Sequence, residues 1–180
     1  DRRLDSLLAR YVPSDFRERG HAADMRALLE EQAPFERTTY APGHFTASAF
    51  VLAPERDALL LVLHRKLGLW LQPGGHVDDV DDDLERTATR EVAEETGLVE
   101  LERALGSQIF DLDVHLIPAR KHEPELRHFD VRFAFVAASR TLRPSDEVAG
   151  ARWVPIAAIE RGSSDESVVR AVRKLPPLLA

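Results

Sequence analysis

Glu91, Glu94 and Glu95 are the residues of this chain whose type and spacing most directly suggest chemistry. They lie in the run Arg90-Glu91-Val92-Ala93-Glu94-Glu95-Thr96-Gly97-Leu98. On a helix, neighbours at i+3 and i+4 share a face, so the three carboxylates fall within an arc of roughly 100°. Leu84, Ala88 and Val92 sit beside that arc, so the acids border the apolar stripe instead of opposing it. Carboxylates four residues apart repel, and partial desolvation raises the cost. A hard divalent cation with oxygen ligands supplies the missing charge. An acidic triplet alone is ordinarily a solvated helix face. What distinguishes this one is the upstream stretch Leu71-Gln72-Pro73-Gly74-Gly75-His76-Val77, which leads from a strand through a double-glycine turn toward the helix. Glycine there permits positive φ and close approach of the backbone to a ligand, which makes the Gly75 carbonyl a candidate metal ligand.

This segment resembles the signature of the Nudix hydrolases, G-x5-E-x7-R-E-U-x-E-E-x-G-U, where U is apolar. Arg90 to Leu98 match its second half at every position. With seven residues left before Arg90, the signature Glu falls on Asp82, and the signature glycine falls on His76, one position after Gly75. The loop therefore reads one residue longer than the pattern, with Asp82 expected to pair with Arg90 or to cap the helix. The resemblance implies an α/β fold with a mixed α+β sheet, an α/β/α sandwich over residues 44–180 preceded by a helical extension over residues 1–43. It also implies water attack on a nucleoside diphosphate linked to another group, with cleavage of the pyrophosphate bond. In that scheme Gly75, Glu91, Glu94 and Glu95 hold Mg2+, for which Mn2+ can substitute, and Glu91 and Glu95 are the principal ligands. Glu94 is a ligand or the general base, Arg90 orients a carboxylate, and Arg90, Glu94 and Glu95 form the catalytic set. A non-catalytic ligand sensor on the same fold is the alternative, which loss of motif carboxylates would mark; they are intact. The isomerase branch of the fold typically wants a cysteine, and the chain has none.

Further candidates for substrate contact are Arg65, Trp70, His115, Arg120, His128, Arg132 and Glu147. Asp111, Asp113 and His115 alternate along one expected strand, and His128, Asp130 and Arg132 along the next. If those strands pair, His115 and His128 approach each other, as a second metal site or a phosphate clamp would require. Trp70, Phe45 and Phe129 are candidates to stack a base, although burial in a core is the commoner fate of such side chains. Glu123, Glu125 and Glu147 are acids outside the motif that could serve as base.

The elements that must position these residues follow from periodicity. Leu4, Leu7, Leu8 and Tyr11 form a helical stripe ended by Pro13, and Ser14 or Asp15 caps a second helix expected to run to about Pro34. Strands are expected at 45–52, 58–64, 69–71, 108–116, 131–137 and 151–154, a helix at 84–96 stopped by Gly97, and one or two helices after Ile156. A chain of 180 residues supports one filled core. The lack of cysteine excludes disulfides and thiolate metal sites. With 24 Lys+Arg against 31 Asp+Glu, the net charge of -7 argues against long nucleic acid as partner. No apolar run suits a membrane span or a signal peptide, so the expected setting is cytoplasmic, with a small nucleotide-like substrate and a second copy of the chain as partners.

Overall fold

The computed structural model describes residues 2–119, 124–159 and 164–179. At the centre of the sheet, β1 (His44–Leu52) and β7 (Leu126–Ala137) run parallel, in register from His44 opposite His128 to Leu52 opposite Val136. β1 is buried along its length and β7 everywhere but at Arg127 and His128, as expected where both faces of a sheet are covered. Each central strand is shared by two partners on its outer side. The N-terminal half of β1 pairs with β4 (Gly74–His76) and its C-terminal end with β2 (Ala58–Leu63). The N-terminal half of β7 pairs with β6 (Asp111–Ile117) and its C-terminal half with β5 (Leu101–Arg103). β3 (Trp70–Leu71) and β8 (Ala151–Pro155) complete the sheet on β2.

Alternation along β1 divides the core. Phe45, Ala47, Ala49 and Val51 face α3 (Leu84–Thr96) and the N-terminal helices α1 (Arg2–Arg10) and α2 (Phe16–Leu28). Phe50 and Leu52 face the other way, toward α4 (Ile156–Ile159), α5 (Glu166–Val172) and a 3-10 turn at Pro176–Leu178. The helices on both faces make the α/β/α sandwich. The apolar stripe of α1, Leu4, Leu7 and Leu8, is buried in the same cluster as Leu84, Ala88 and Val92 of α3, and each such leucine contributes about 2 kcal/mol of burial. Arg3 also donates to Asp83 and, at 2.9 Å, to Glu85 at the start of α3. The N-terminal helices thus pack on this subunit.

Several boundaries differ from expectation. α2 ends at Leu28, well short of Pro34; Glu30 and Glu31 would place negative charge at the negative end of the helix dipole. Gly74 and Gly75 are strand residues, not a break in structure. β7 starts at Leu126, ahead of the strand expected at 131–137, because β1 and β6 hold its first residues from both sides. The short β5 carries no apolar alternation by which to find it.

The second face of the sheet also holds a buried ionic web. Arg132, 1% exposed, donates to Asp130 at 2.8 Å, to Asp111 at 3.1 Å and to the Ser167 hydroxyl at 2.9 Å, and pairs with Asp113 at 3.4 Å. Arg170 of α5 donates twice to Asp111 at 2.8 Å, and Lys174 reaches Asp111 at 2.6 Å and Glu18 of α2. Burial by itself would raise the Glu18 carboxyl, but Lys174, Tyr11 and the Ser14 N–H outweigh it and bring it down to about 2. One web therefore joins α2, β6, β7 and the C-terminal helix. Replacing Arg132 by Met leaves three buried aspartates short of a cation and should cost about 3–5 kcal/mol in urea unfolding. Arg17→Ala, which breaks the exposed Arg17–Glu166 pair, should cost less than about 1 kcal/mol. Equal, small losses in the two variants would contradict the role given to the web.

Candidate active site

The acidic helix α3 is closed at both ends by its own sequence. Asp83 accepts from the Arg86 N–H at 2.8 Å as N-cap, and Gly97 takes the left-handed conformation at φ 76° while its N–H reaches the Ala93 carbonyl. Between these ends the helix presents Glu91, Glu94 and Glu95 to the strand Gly74–His76.

Arg90 ties the helix to the loop. Its Nε and Nη2 donate to Asp81 at 2.9–3.2 Å, Nη2 also donates to the His76 carbonyl at 2.8 Å, and Nη1 donates to Glu91 at 3.0 Å and Glu94 at 2.7 Å. The acid that meets Arg90 is therefore Asp81 and not Asp82, and Asp83 is the cap. Counting forward from Gly75 finds it, since Gly75-x5-Asp81 keeps the spacing of the signature and the extra residue falls between Asp81 and Arg90. Burial would raise the Asp81 carboxyl, but Arg90, the Asp78 N–H and the Thr87 hydroxyl hold it below its ordinary value.

Glycine at 74 and 75 is required by close approach; neither residue has positive φ. A Cβ on Gly75 would lie 2.5 Å from Oε1 of Glu91, and one on Gly74 would overlap Ser48. The Gly74 N–H donates to Glu95 at 3.2 Å. Glu95 is the most perturbed of the acids: burial, then the neighbouring Glu91, pushes it up to about 8. Burial also raises Glu91, against the pull of Arg90. Glu94 is half-exposed. The loop after β7 docks on the end of α3, where the N–H groups of Arg143 and Ser145 satisfy the carbonyls of Thr96 and Glu95. That docking brings the exposed Glu147 close enough to raise both Glu91 and Glu95. The site thus gathers more carboxylates than Arg90 can neutralise, and a divalent cation fits this all-oxygen donor set.

The remaining candidates are dispersed. Arg132 is a correction: it is buried, and all its guanidinium nitrogens face Asp111, Asp113, Asp130 or Ser167, which leaves no donor for a substrate phosphate. Phe45 and Phe129 are fully in the core and cannot stack a base. Trp70 is half-buried, and the Arg152 guanidinium covers one of its faces at 3.9 Å. Arg65 is exposed in the turn after β2. Arg120 and Glu123 lie outside the described residues, and Glu125 is exposed just before β7. His115 and His128 are register partners, with ring centroids 5.4 Å apart. Sequence reasoning passed over His44, which stands opposite His128 in the central pair, and the polar cluster in which Thr46, Ser48 and Gln72 donate to Asp130. The alternation of His44, Thr46 and Ser48 was the available signal, but the pairing of β1 with β7 could not be read from it.

Comparison with known proteins bears on the family and the fold. The NUDIX domain model matches residues 42–174. A Bacillus subtilis (strain 168) protein whose name proposes an 8-oxo-dGTP diphosphatase is 32% identical over 111 residues, 61% of this chain and 66% of its own length. The chain thus spans just under two thirds of that relative. Among solved structures, a NUDIX family hydrolase from Clostridium perfringens is 25% identical with a TM-score of 0.56, over 75% of this chain and 97% of its own. The NUDIX domain of Shewanella oneidensis NrtR, solved with ADP ribose, aligns over 87% of this chain and 99% of its own, with a TM-score of 0.57 at 20% identity, a likeness of fold.

The state of Glu95 makes the site sensitive to pH. In the metal-free folded protein this carboxyl stays protonated up to about pH 8, whereas in the unfolded chain it ionises near its ordinary value of 4.5. Its contribution to stability is therefore full below that ordinary value and is lost as pH rises through about 8. A cation that binds Glu95 must displace the proton, so magnesium affinity should rise with pH and level off above about 8. Calorimetric titration over that range measures this, and a pH-independent affinity would contradict it.

Proposed function

The chain belongs to the NUDIX family, and from that premise we propose that it is a metal-dependent hydrolase that opens a pyrophosphate bond in a nucleoside diphosphate linked to another group. The observation that carries this reading is the packing of Glu91 and Glu95, half-buried side by side, against the Gly74–Gly75 strand, with Glu94 next to them on the helix and Arg90 shared among Asp81, Glu91 and Glu94. An ordinary solvated helix face would leave these acids in water instead of desolvating two of them side by side. Glu91 and Glu95 are the principal ligands for Mg2+ or Mn2+, with the Gly75 carbonyl and Glu94 completing the set. When bound, the cation neutralises charge that grows on the diphosphate oxygens and lowers the pKa of water.

The protein's own groups do the rest. Arg90 holds the loop and the helix at fixed separation through Asp81 and the His76 carbonyl, and it orients Glu91 and Glu94. Gly75 keeps the space beside Glu91 clear of any side chain. Glu94 and Glu147 are the carboxylates here with solvent access, and so the two candidates to take a proton from the attacking water. The name of the Bacillus subtilis relative makes an oxidised purine nucleoside triphosphate the first substrate to assay. We further propose the division into a helical extension over residues 1–43 and a hydrolase domain over residues 44–180, with a cytoplasmic setting. No helix among the described residues is long and apolar enough to cross a membrane.

Glu95→Gln is nearly isosteric and removes the charge, so it should lower kcat at least roughly a hundredfold while the metal-free protein stays folded. Steady-state assays with magnesium measure this, and product masses from heavy-oxygen water show which phosphorus is attacked. Undiminished turnover in the variant would overturn the assignment. Binding of nucleotides by the wild-type protein with no turnover of any would favour the ligand-sensor reading.

A further inference from the structure

Three strands bring histidines together on the second face of the sheet. His44 and His128 are partners in the parallel β1–β7 register, and His76 lies on β4 opposite Thr46, two residues along β1 from His44. Their ring centroids form a near-equilateral triangle, 5.2 Å from His44 to His76 and 5.0 Å on the other two sides. A ring nitrogen from each lies within 4.8 Å of those of the other two.

His44 shows which way the cluster is wired. It is 1% exposed, and its Nδ1 lies 3.1 Å from the Thr39 carbonyl oxygen, so Nδ1 carries the proton and donates. Nε2 is then a bare lone pair, buried and without a hydrogen-bond partner. A buried acceptor left unsatisfied is costly, and a backbone carbonyl accepting from Nδ1 is the usual arrangement that fixes Nε2 as a metal ligand. The neighbouring acid does not supply a competing oxygen: Asp130 is engaged by Thr46, Ser48, Gln72 and Arg132.

We propose that His44, His76 and His128 form a second metal site, distinct from the carboxylate site on α3, that takes a borderline divalent cation of the zinc type and leaves one coordination position open. Imidazole nitrogen suits zinc, whereas magnesium takes hard oxygen donors, so the two sites select different ions. Tetrahedral zinc with bonds of about 2.0–2.1 Å needs nitrogens roughly 3.4 Å apart. His76 and His128 are half-buried, and binding requires their rings to close that gap around the buried His44. The His115 ring stands 5.4 Å from that of His128, with its Nδ1 on Asp113 at 3.1 Å.

The test uses the full chain, with zinc and cobalt as probes. Wild-type protein and the Glu91→Gln, Glu95→Gln double variant are loaded, dialysed and assayed for bound metal. Both should retain one zinc per chain, and cobalt should give the intense visible bands of a four-coordinate site with three nitrogen ligands. His44→Gln and His128→Gln should each weaken zinc affinity at least about a hundredfold, more than the loss of an outer-shell partner costs. His128 is half-buried, so His128→Gln should keep the far-UV circular dichroism of the wild type and decides the matter if His44→Gln misfolds. Failure of the wild-type protein to retain zinc, loss of zinc in the glutamate variant, an octahedral cobalt spectrum in it, or undiminished affinity in folded His128→Gln would each overturn the site.

Discussion

A single guanidinium holds the acidic helix and the glycine strand in one frame. Arg90 donates to Asp81, to the His76 carbonyl, to Glu91 and to Glu94, and everything proposed for the site presumes that frame. The arrangement is electrostatically incomplete: one cation is shared among three carboxylates, while the half-buried Glu95 accepts from the Gly74 N–H. In the metal-free protein burial, and then the neighbouring Glu91, favours the protonated form of Glu95 and drives its carboxyl up to about 8. The same frustration that costs the folded state stability is what makes the site receptive to a divalent cation.

The two faces of the sheet answer burial in different ways. On the face toward α3 the residues are apolar, and α1 and α2 add leucines to the same cluster. On the other face, polar and charged side chains fill half of the central strands, and they are satisfied by pairing: Arg132 with three aspartates, Arg170 and Lys174 with Asp111, Lys174 with Glu18. Such a web contributes less net stability than an apolar core of equal volume, but it penalises any misplacement of its members. It fastens helices from both ends of the chain to β6 and β7. At the end of this face the charges give way to the histidine cluster, where His44 keeps an unsatisfied lone pair.

What could be read from the residues alone was local. The span of α3, its Gly97 stop and the shared face of Glu91, Glu94 and Glu95 all follow from helical spacing, and α3 runs from Leu84 to Thr96 with Gly97 as its cap. The His115–His128 approach followed from strand alternation once pairing was assumed. What could not be read was non-local. Asp81 was missed because the motif was counted back from Arg90 across a loop with one extra residue. Arg132 looked like a phosphate contact because sequence does not reveal that Asp111, Asp113 and Ser167 converge on it. The His44–His76–His128 triangle depends on a parallel register between strands more than seventy residues apart, which no local pattern encodes.

The central claim, that the α3 carboxylates and the Gly75 backbone form a cation site, is tested most directly by an anomalous difference map from crystals grown with manganese. The account predicts a peak within coordination distance of Glu91, Glu95 and the Gly75 carbonyl oxygen, and its disappearance in crystals of the Glu91→Gln, Glu95→Gln variant. Manganese bound only elsewhere, or a peak that survives in the variant, would contradict it.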